Sequence, residues 1–94
     1  MGWSETKEGR KDRILKHRYG IRLREYDRLL ADQDGRCGVC RDPFGSVAEV
    51  DHDHSSEEVR GLVCRRCNAF LGYLDKDPKL AEKAVIYLRK VGVK

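Results

Sequence analysis

Four cysteines, two histidines, three aspartates and an asparagine fall between Cys37 and Asn68 of this 94-residue chain. Two Cys-x-x-Cys pairs, Cys37/Cys40 and Cys64/Cys67, bracket the run Asp51-His52-Asp53-His54, and Asn68 follows the last cysteine directly. Four thiolates fill a tetrahedral zinc shell, and a filled shell is structural because a catalytic zinc keeps one position open. The histidines are then free for other work. Asp51 and Asn68 offer oxygen ligands of the kind magnesium takes. His52 belongs to the one side-chain type that ordinarily titrates near neutrality. A divalent ion and a nearby base are the parts that hydrolysis of a phosphodiester requires.

Those groups need a frame that gathers them. The two cysteine pairs are separated by 23 residues, 41–63, room for a hairpin between two knuckles. The competing readings of the cysteines are a thioredoxin-like redox pair and a disulfide framework. A redox pair accounts for only one knuckle and lacks a strand-helix-strand setting, and disulfides do not suit a reducing compartment. Gly38 is expected to let the first knuckle curl so that amides point at the sulfurs. Arg36, Arg41, Arg65 and Arg66 flank the cysteines and would offset the excess negative charge of a four-thiolate cluster.

Between the knuckles, Asp42-Pro43-Phe44-Gly45 reads as a turn, Val47 to Asp51 as a strand, Ser55 to Glu58 as a polar turn and Val59 to Val63 as the return strand. Strict alternation would send Asp51 and His52 to opposite faces, so the strand is expected to break or bend at Asp51. His54 either contacts the scissile phosphate or orients the loop. Asp53 either points away or holds a histidine or a backbone group. A helix from Arg65 to about Leu74 begins inside the second knuckle, with Ala69, Phe70, Leu71 and Leu74 as its apolar side.

Residues 1–9 are expected to form a frayed end. A short amphipathic helix follows from Arg10 to Tyr19 and ends at Gly20; a second runs from about Arg22 to Gln33 and stops at Gly35. Arg22 is a poor N-cap residue. Leu23, Tyr26, Leu29 and Leu30 mark the buried stripe of the second helix. Arg10, Lys11, Arg13, Lys16 and Arg18 either solvate this cover or face phosphates, and the acidic neighbours Asp12, Glu25 and Asp27 favour the former. Asp77-Pro78 predicts the start of a C-terminal helix, with Leu80, Ala81, Ala84, Val85, Leu88 and Val91 at helical spacing. His17 stands alone and carries no assigned chemistry.

Twenty Lys and Arg against sixteen Asp and Glu give a net charge of +4, which favours a polyanionic partner without making the chain a basic tail. The chain shows no apolar h-region and no run long enough to span a bilayer, so a soluble protein of a reducing cytoplasm is expected, with no membrane partner. A chain this short gains from a staple, which zinc supplies.

The string from Asp51 to His54, then Val59-Arg60-Gly61-Leu62-Val63-Cys64-Arg65-Arg66-Cys67-Asn68-Ala69-Phe70-Leu71-Gly72, closely resembles phage recombination endonuclease VII and its HNH relatives. Tyr19-Gly20-Ile21 and Tyr26 extend the resemblance, which covers about residues 14–88. It implies a small α+β fold: a zinc-stapled ββα-metal (HNH, His-Me finger) core at 37–74, N-terminal helices at 1–36 and a C-terminal helix at 75–94, all one nuclease domain. By that resemblance Asp51 and Asn68 would ligate a catalytic magnesium, and His52 would be the general base. His54 would contact the phosphate near the cut. The implied partner is DNA, gripped mainly by its backbone with weak sequence preference, and the implied setting is a bacterial host's cytoplasm. Phage packaging or recombination proteins are further candidate partners. The junction-resolving member dimerises through a long C-terminal helical region, and this sequence reaches only Lys94, so a compact nicking enzyme, monomer or weak homodimer, is expected. A non-catalytic zinc module that binds nucleic acid is the alternative.

Overall fold

The computed structural model describes residues 5–92, so the expected fraying of residues 1–9 and the place of Trp3 fall partly or wholly outside it. Four helices and one two-stranded sheet follow in the order α1 (Lys7–Tyr19), α2 (Leu23–Asp32), β1 (Glu49–His52), β2 (Val59–Val63), α3 (Arg65–Lys76) and α4 (Leu80–Lys90). The small α+β class read from the sequence is what the chain forms. No helix among the described residues is long and apolar enough to cross a membrane.

Helix α1 begins one turn earlier than its apolar pattern suggests, because Thr6 is a competent N-cap. Its Oγ1 accepts from the Gly9 amide at 3.0 Å, and Glu8 adds a favourable charge in the first turn. Gly20, at φ 74°, closes the helix by donating to the Lys16 carbonyl. Arg22 has no side-chain acceptor to cap α2, and the deficit is met from another helix. The Asp12 carboxylate of α1 accepts from the Leu23 amide at 2.8 Å and pairs with Arg22 at 2.6 Å, while Glu25 accepts from the Arg22 amide at 3.4 Å. One aspartate therefore both starts α2 and fixes its angle to α1.

The hairpin is antiparallel, with Glu49 opposite Val63, Val50 opposite Leu62 and Asp51 opposite Gly61. His52 then pairs with Val59, so Arg60 is an extra residue and the ladder bulges between Asp51 and His52. The irregularity is a β-bulge whose extra residue lies on β2, and Asp51 and His52 keep the opposite faces of strand alternation instead of escaping them by the bend expected in β1. Strand alternation divides the sheet between two clusters. Val50 and Leu62 pack with Leu15, Ile21 and Tyr26 under α1 and α2. Val63, one residue on, packs with Cys37 and Cys67 on the side of α3. Phe44 touches both clusters.

Gln33 ties the end of α2 to β2. Its amide nitrogen donates to the carbonyls of Leu62 (2.8 Å) and Arg36 (2.7 Å), and its amide oxygen accepts from the Leu62 N–H at 2.9 Å. Two glycines make room for this junction: a Cβ on Gly61 would lie 3.0 Å from the Gln33 oxygen, and one on Gly38 would lie 3.2 Å from the Leu62 carbonyl.

Two sequence expectations about helix faces change. Helix α3 turns Cys67, Leu71 and Leu74 inward, whereas Ala69 and Phe70 are exposed. Helix α4 starts at Leu80 rather than at Pro78. Asp77 instead shapes a turn ahead of it, accepting from the amides of Lys79 (side chain, 3.2 Å) and Leu80 (backbone, 2.9 Å). None of the residues of α4 is buried, and Val85, Ile86, Leu88 and Val91 lie exposed. The described chain is correspondingly elongated, 65 × 28 × 23 Å.

Candidate metal centre and the polar site beside it

The four cysteines converge from the first knuckle, the end of β2 and the first turn of α3, with all four sulfurs within 4.8 Å of one another. A tetrahedron of Zn–S bonds of about 2.3 Å needs sulfurs at roughly this separation, so the set fits a zinc ion. The Cys37 sulfur accepts from the amides of Cys64 (3.3 Å) and Val39 (3.4 Å). Burial pushes the Cys37 thiol up, but those amides, with that of Cys40, outweigh it and draw the thiol down. Burial pushes Cys67 up, and its three sulfur neighbours add to the rise. One divalent cation among the sulfurs would relieve that crowding. Arg66 leans on Cys40 and Cys67, the charge-offsetting role expected of the flanking arginines. The residue that takes the left-handed turn of the knuckle is Arg41, at φ 66°, and not Gly38, whose role is the close approach to Leu62.

The cysteine cluster joins the knuckle to α3, which lies along the face of β1 that carries Glu49 and Asp51. Asn68, Leu71 and Asp75 recur at i, i+3 and i+7, one stripe of α3. At one end of the stripe Asn68 donates its amide nitrogen to Glu49 at 2.9 Å, with Arg65 on the same carboxylate at 3.2 Å. The Asn68 amide draws the Glu49 carboxyl below its ordinary range; burial opposes this and Arg65 adds to the lowering. The bond leaves the Asn68 oxygen, the atom a hard cation would take, uncommitted among the described residues. At the other end, Asp75 lies 3.6 Å from Arg60 and 3.5 Å from His54.

Arg60, the bulged residue, is the hub between them. It holds the buried Asp51 through two hydrogen bonds of 2.9 Å and approaches Asp53 at 3.9 Å. Asp53 itself shapes the turn, accepting from the amides of Ser55 (2.8 Å) and Ser56 (3.0 Å). The ring of His52 lies 5.1 Å from that of His54 and 5.8 Å from that of Tyr19. A continuous chain of contacts therefore runs from Asp51 through Arg60, Asp75 and His54 to His52. Asn68 joins from Glu49, two residues before Asp51 on the same strand face, about 7 Å along the strand. The structure brings His52 and His54 together, and sets Asp51 and Asn68 on the α3 side of β1, one strand step apart. His52 opens instead toward α1, in a cavity of about 320 Å³ lined also by Lys16, Arg18 and Tyr19.

Glu49 and Asp75 were not singled out from the sequence. The signal for Asp75 was its place seven residues after Asn68; Glu49 is marked only by falling two residues before Asp51.

Hairpin, helix and cysteine cluster in this order match a known pattern: the profile described as recombination endonuclease VII aligns with residues 12–90. The chain belongs to the recombination endonuclease VII family. Among curated relatives it is 40% identical over 75 residues to the Gene 59 protein of Mycobacterium phage D29, covering 77% of this chain and 46% of that protein. It is 38% identical over 73 residues to the Gene 59 protein of Mycobacterium phage L5, covering 74% and 44%. The chain thus spans about half the length of these relatives. No solved structure matches it. The matched residues include the four cysteines, the Asp51–His54 run and Asn68, so the site just described lies wholly inside the family region.

Proposed function

We propose that this chain is a metal-dependent DNA endonuclease of the HNH type that nicks its substrate with weak sequence preference. The observation that carries the reading is the pair of imidazoles at the bulged end of β1, 5.1 Å apart and adjacent to the buried Asp51, on a frame held by four cysteines. Membership of the recombination endonuclease VII family supports it.

In this reading His52 takes a proton from the attacking water, and His54, oriented by Asp75, contacts the phosphate beside the cut. Asp51 and Asn68 would hold the divalent ion. Their donor set, a carboxylate and an amide oxygen on facing elements, suits a hard cation, and the guanidinium of Arg60 is already a stand-in cation on Asp51. When bound, such an ion supplies charge to offset the phosphate and the leaving oxygen. Asp51 and His52, neighbours in sequence, take the two faces of β1, so in this reading the ion and the base approach the phosphate from either side of the strand's end.

One observation favours a second reading. Arg60 on Asp51 and Glu49 on Asn68 engage both proposed ligands, as a non-catalytic zinc module that binds nucleic acid would leave them. Nicking of supercoiled plasmid with and without magnesium separates the two. Magnesium-dependent nicking that His52→Ala abolishes, with zinc content unchanged, is the expected result. Absence of nicking with any divalent ion on linear, supercoiled and branched DNA would favour the binding module.

A further inference from the structure

Helix α1 carries six Lys and Arg residues from Lys7 to Arg18, and the structure sorts them. Arg13 is engaged by Glu5 at 3.0 Å, and Asp12, which with Glu8 is one of two carboxylates within the series, is engaged by Arg22. Among the described residues Lys7, Arg10, Lys11, Lys16 and Arg18 are in no ion pair. Lys7, Arg10, Lys11 and Arg18 share one wall of a groove of about 580 Å³ between α1 and β1. Ser46–Val50 and Asn68 line it on the side of β1 and α3, and Ile14, Leu15 and Tyr26 give it apolar surface. Lys11 rests 3.9 Å over the Tyr26 ring, which holds its charge against that surface.

The row has a direction. Arg18 and Tyr19 line both this groove and the cavity that contains His52. A chain of negative charges laid along α1 would pass through the groove that Asn68 lines and reach the cavity of His52. From Lys7 to Arg18 the helix advances about 16 Å, the axial length of roughly five phosphates of one strand. Lys7, Arg10 and Lys11 precede residue 12, where the family match begins, so membership alone says nothing of them.

We propose that α1 is the substrate-holding element: the backbone of one DNA strand lies in the groove between α1 and β1, with its phosphates on Lys7, Arg10, Lys11 and Arg18. This rests on the endonuclease reading and adds to it the face by which DNA is gripped. Asp12 has a matching part in this scheme. Engaged with Arg22 and the start of α2, its carboxylate is turned away from the row that faces the groove.

The test measures binding of a 20-base-pair duplex by fluorescence anisotropy over a range of salt, in a His52→Ala background that cannot cut. Lys7→Ala, Arg10→Ala and Arg18→Ala are combined; all three are exposed and alanine keeps the helix, and circular dichroism and zinc content verify the fold. Lost phosphate contacts lower the slope of log affinity against log salt by about one each, so a fall of about three is expected. Arg89→Ala with Lys90→Ala, on exposed α4, should leave the slope unchanged. An unchanged slope in the α1 variant, or an equal fall in the α4 variant, would overturn the groove while wild-type nicking still upheld the endonuclease. A parent that binds no duplex at any salt, joined to a wild type that nicks nothing, would overturn both.

Discussion

Arg60 holds Asp51 with both arms of its guanidinium, Nε to Oδ2 and Nη2 to Oδ1, each at 2.9 Å. The pairing follows from the bulge, which inserts Arg60 as the unmatched residue of β2 opposite the junction of Asp51 and His52. Asp51 is buried at 8% exposure, and a carboxylate so placed needs a cation.

Removing the guanidinium should therefore have two effects of opposite sign. Arg60→Met should lower stability by about 1–2 kcal/mol, less than a fully buried pair costs, because the arginine side chain is itself 37% exposed. Magnesium should then recover more stability in the variant than in the wild type, since Asp51 has no competing cation. Thermal unfolding with EDTA and with a magnesium series measures both. A variant that magnesium stabilises no more than wild type would remove Asp51 as a ligand.

The cysteine cluster is the second dependence. Among the described residues Val63 is the one buried apolar side chain that packs with the buried cysteines, and a two-stranded hairpin is marginal by itself. Structural zinc contributes roughly 10–16 kcal/mol in small finger peptides, of the order of a domain's whole stability. Cys64→Ser should lower bound zinc well below one per chain and abolish cooperative unfolding. Chelation of the wild type should do the same. Zinc assay with near-ultraviolet circular dichroism tests it, and a chelated protein that still unfolds cooperatively would contradict it.

The pH dependence of the N-terminal helix pair rests on Asp12. The hydrogen bond from Arg22 and then the Leu23 amide draw its carboxyl down to about 2, against a small opposing effect of burial. A folded-state pKa below the unfolded value means that the ionised form stabilises the fold. That stability is present in full above pH 4 and is lost as pH falls toward 2. Asp12→Asn should thus be less stable than wild type at pH 7, and the difference should vanish near pH 2. Denaturation of the two proteins across this window reads the effect directly.

These cases show what the sequence could and could not tell. Both knuckles, the hairpin and the stripe Leu23–Tyr26–Leu30 were legible because spacing and side-chain period carry them. The cap of α2 was not, since its acceptor lies eleven residues upstream of Leu23 on another helix. Nor was the hub role of Arg60, which depends on the register of a bulge. On α4 the apolar spacing correctly marked a helix, yet spacing says nothing of what covers a face, and those residues lie exposed. Phe70 was assigned inward by its type alone and points out because Cys67 and Leu71 set the rotation of α3.

Gln33 gives the sharpest test of how α2 is joined to the clamp. Its side-chain amide treats the backbone of Leu62 as a neighbouring strand would, accepting from its N–H and donating to its carbonyl. Leu62 is fully buried, and Gly38 reaches the same carbonyl at 3.0 Å, so water has little access to replace the amide. Gln33→Ala should cost about 2 kcal/mol, the usual penalty for a backbone group left unsatisfied, which corresponds to a fall in Tm of about 10 °C. Gln33→Glu should cost at least as much, because a carboxylate cannot donate to the Leu62 carbonyl and would set one acceptor against another. Hydrogen exchange at the Leu62 amide should quicken in both variants while that at Val50 changes only with global stability. Equal acceleration at the two amides would mean that Gln33 contributes no local bond to β2.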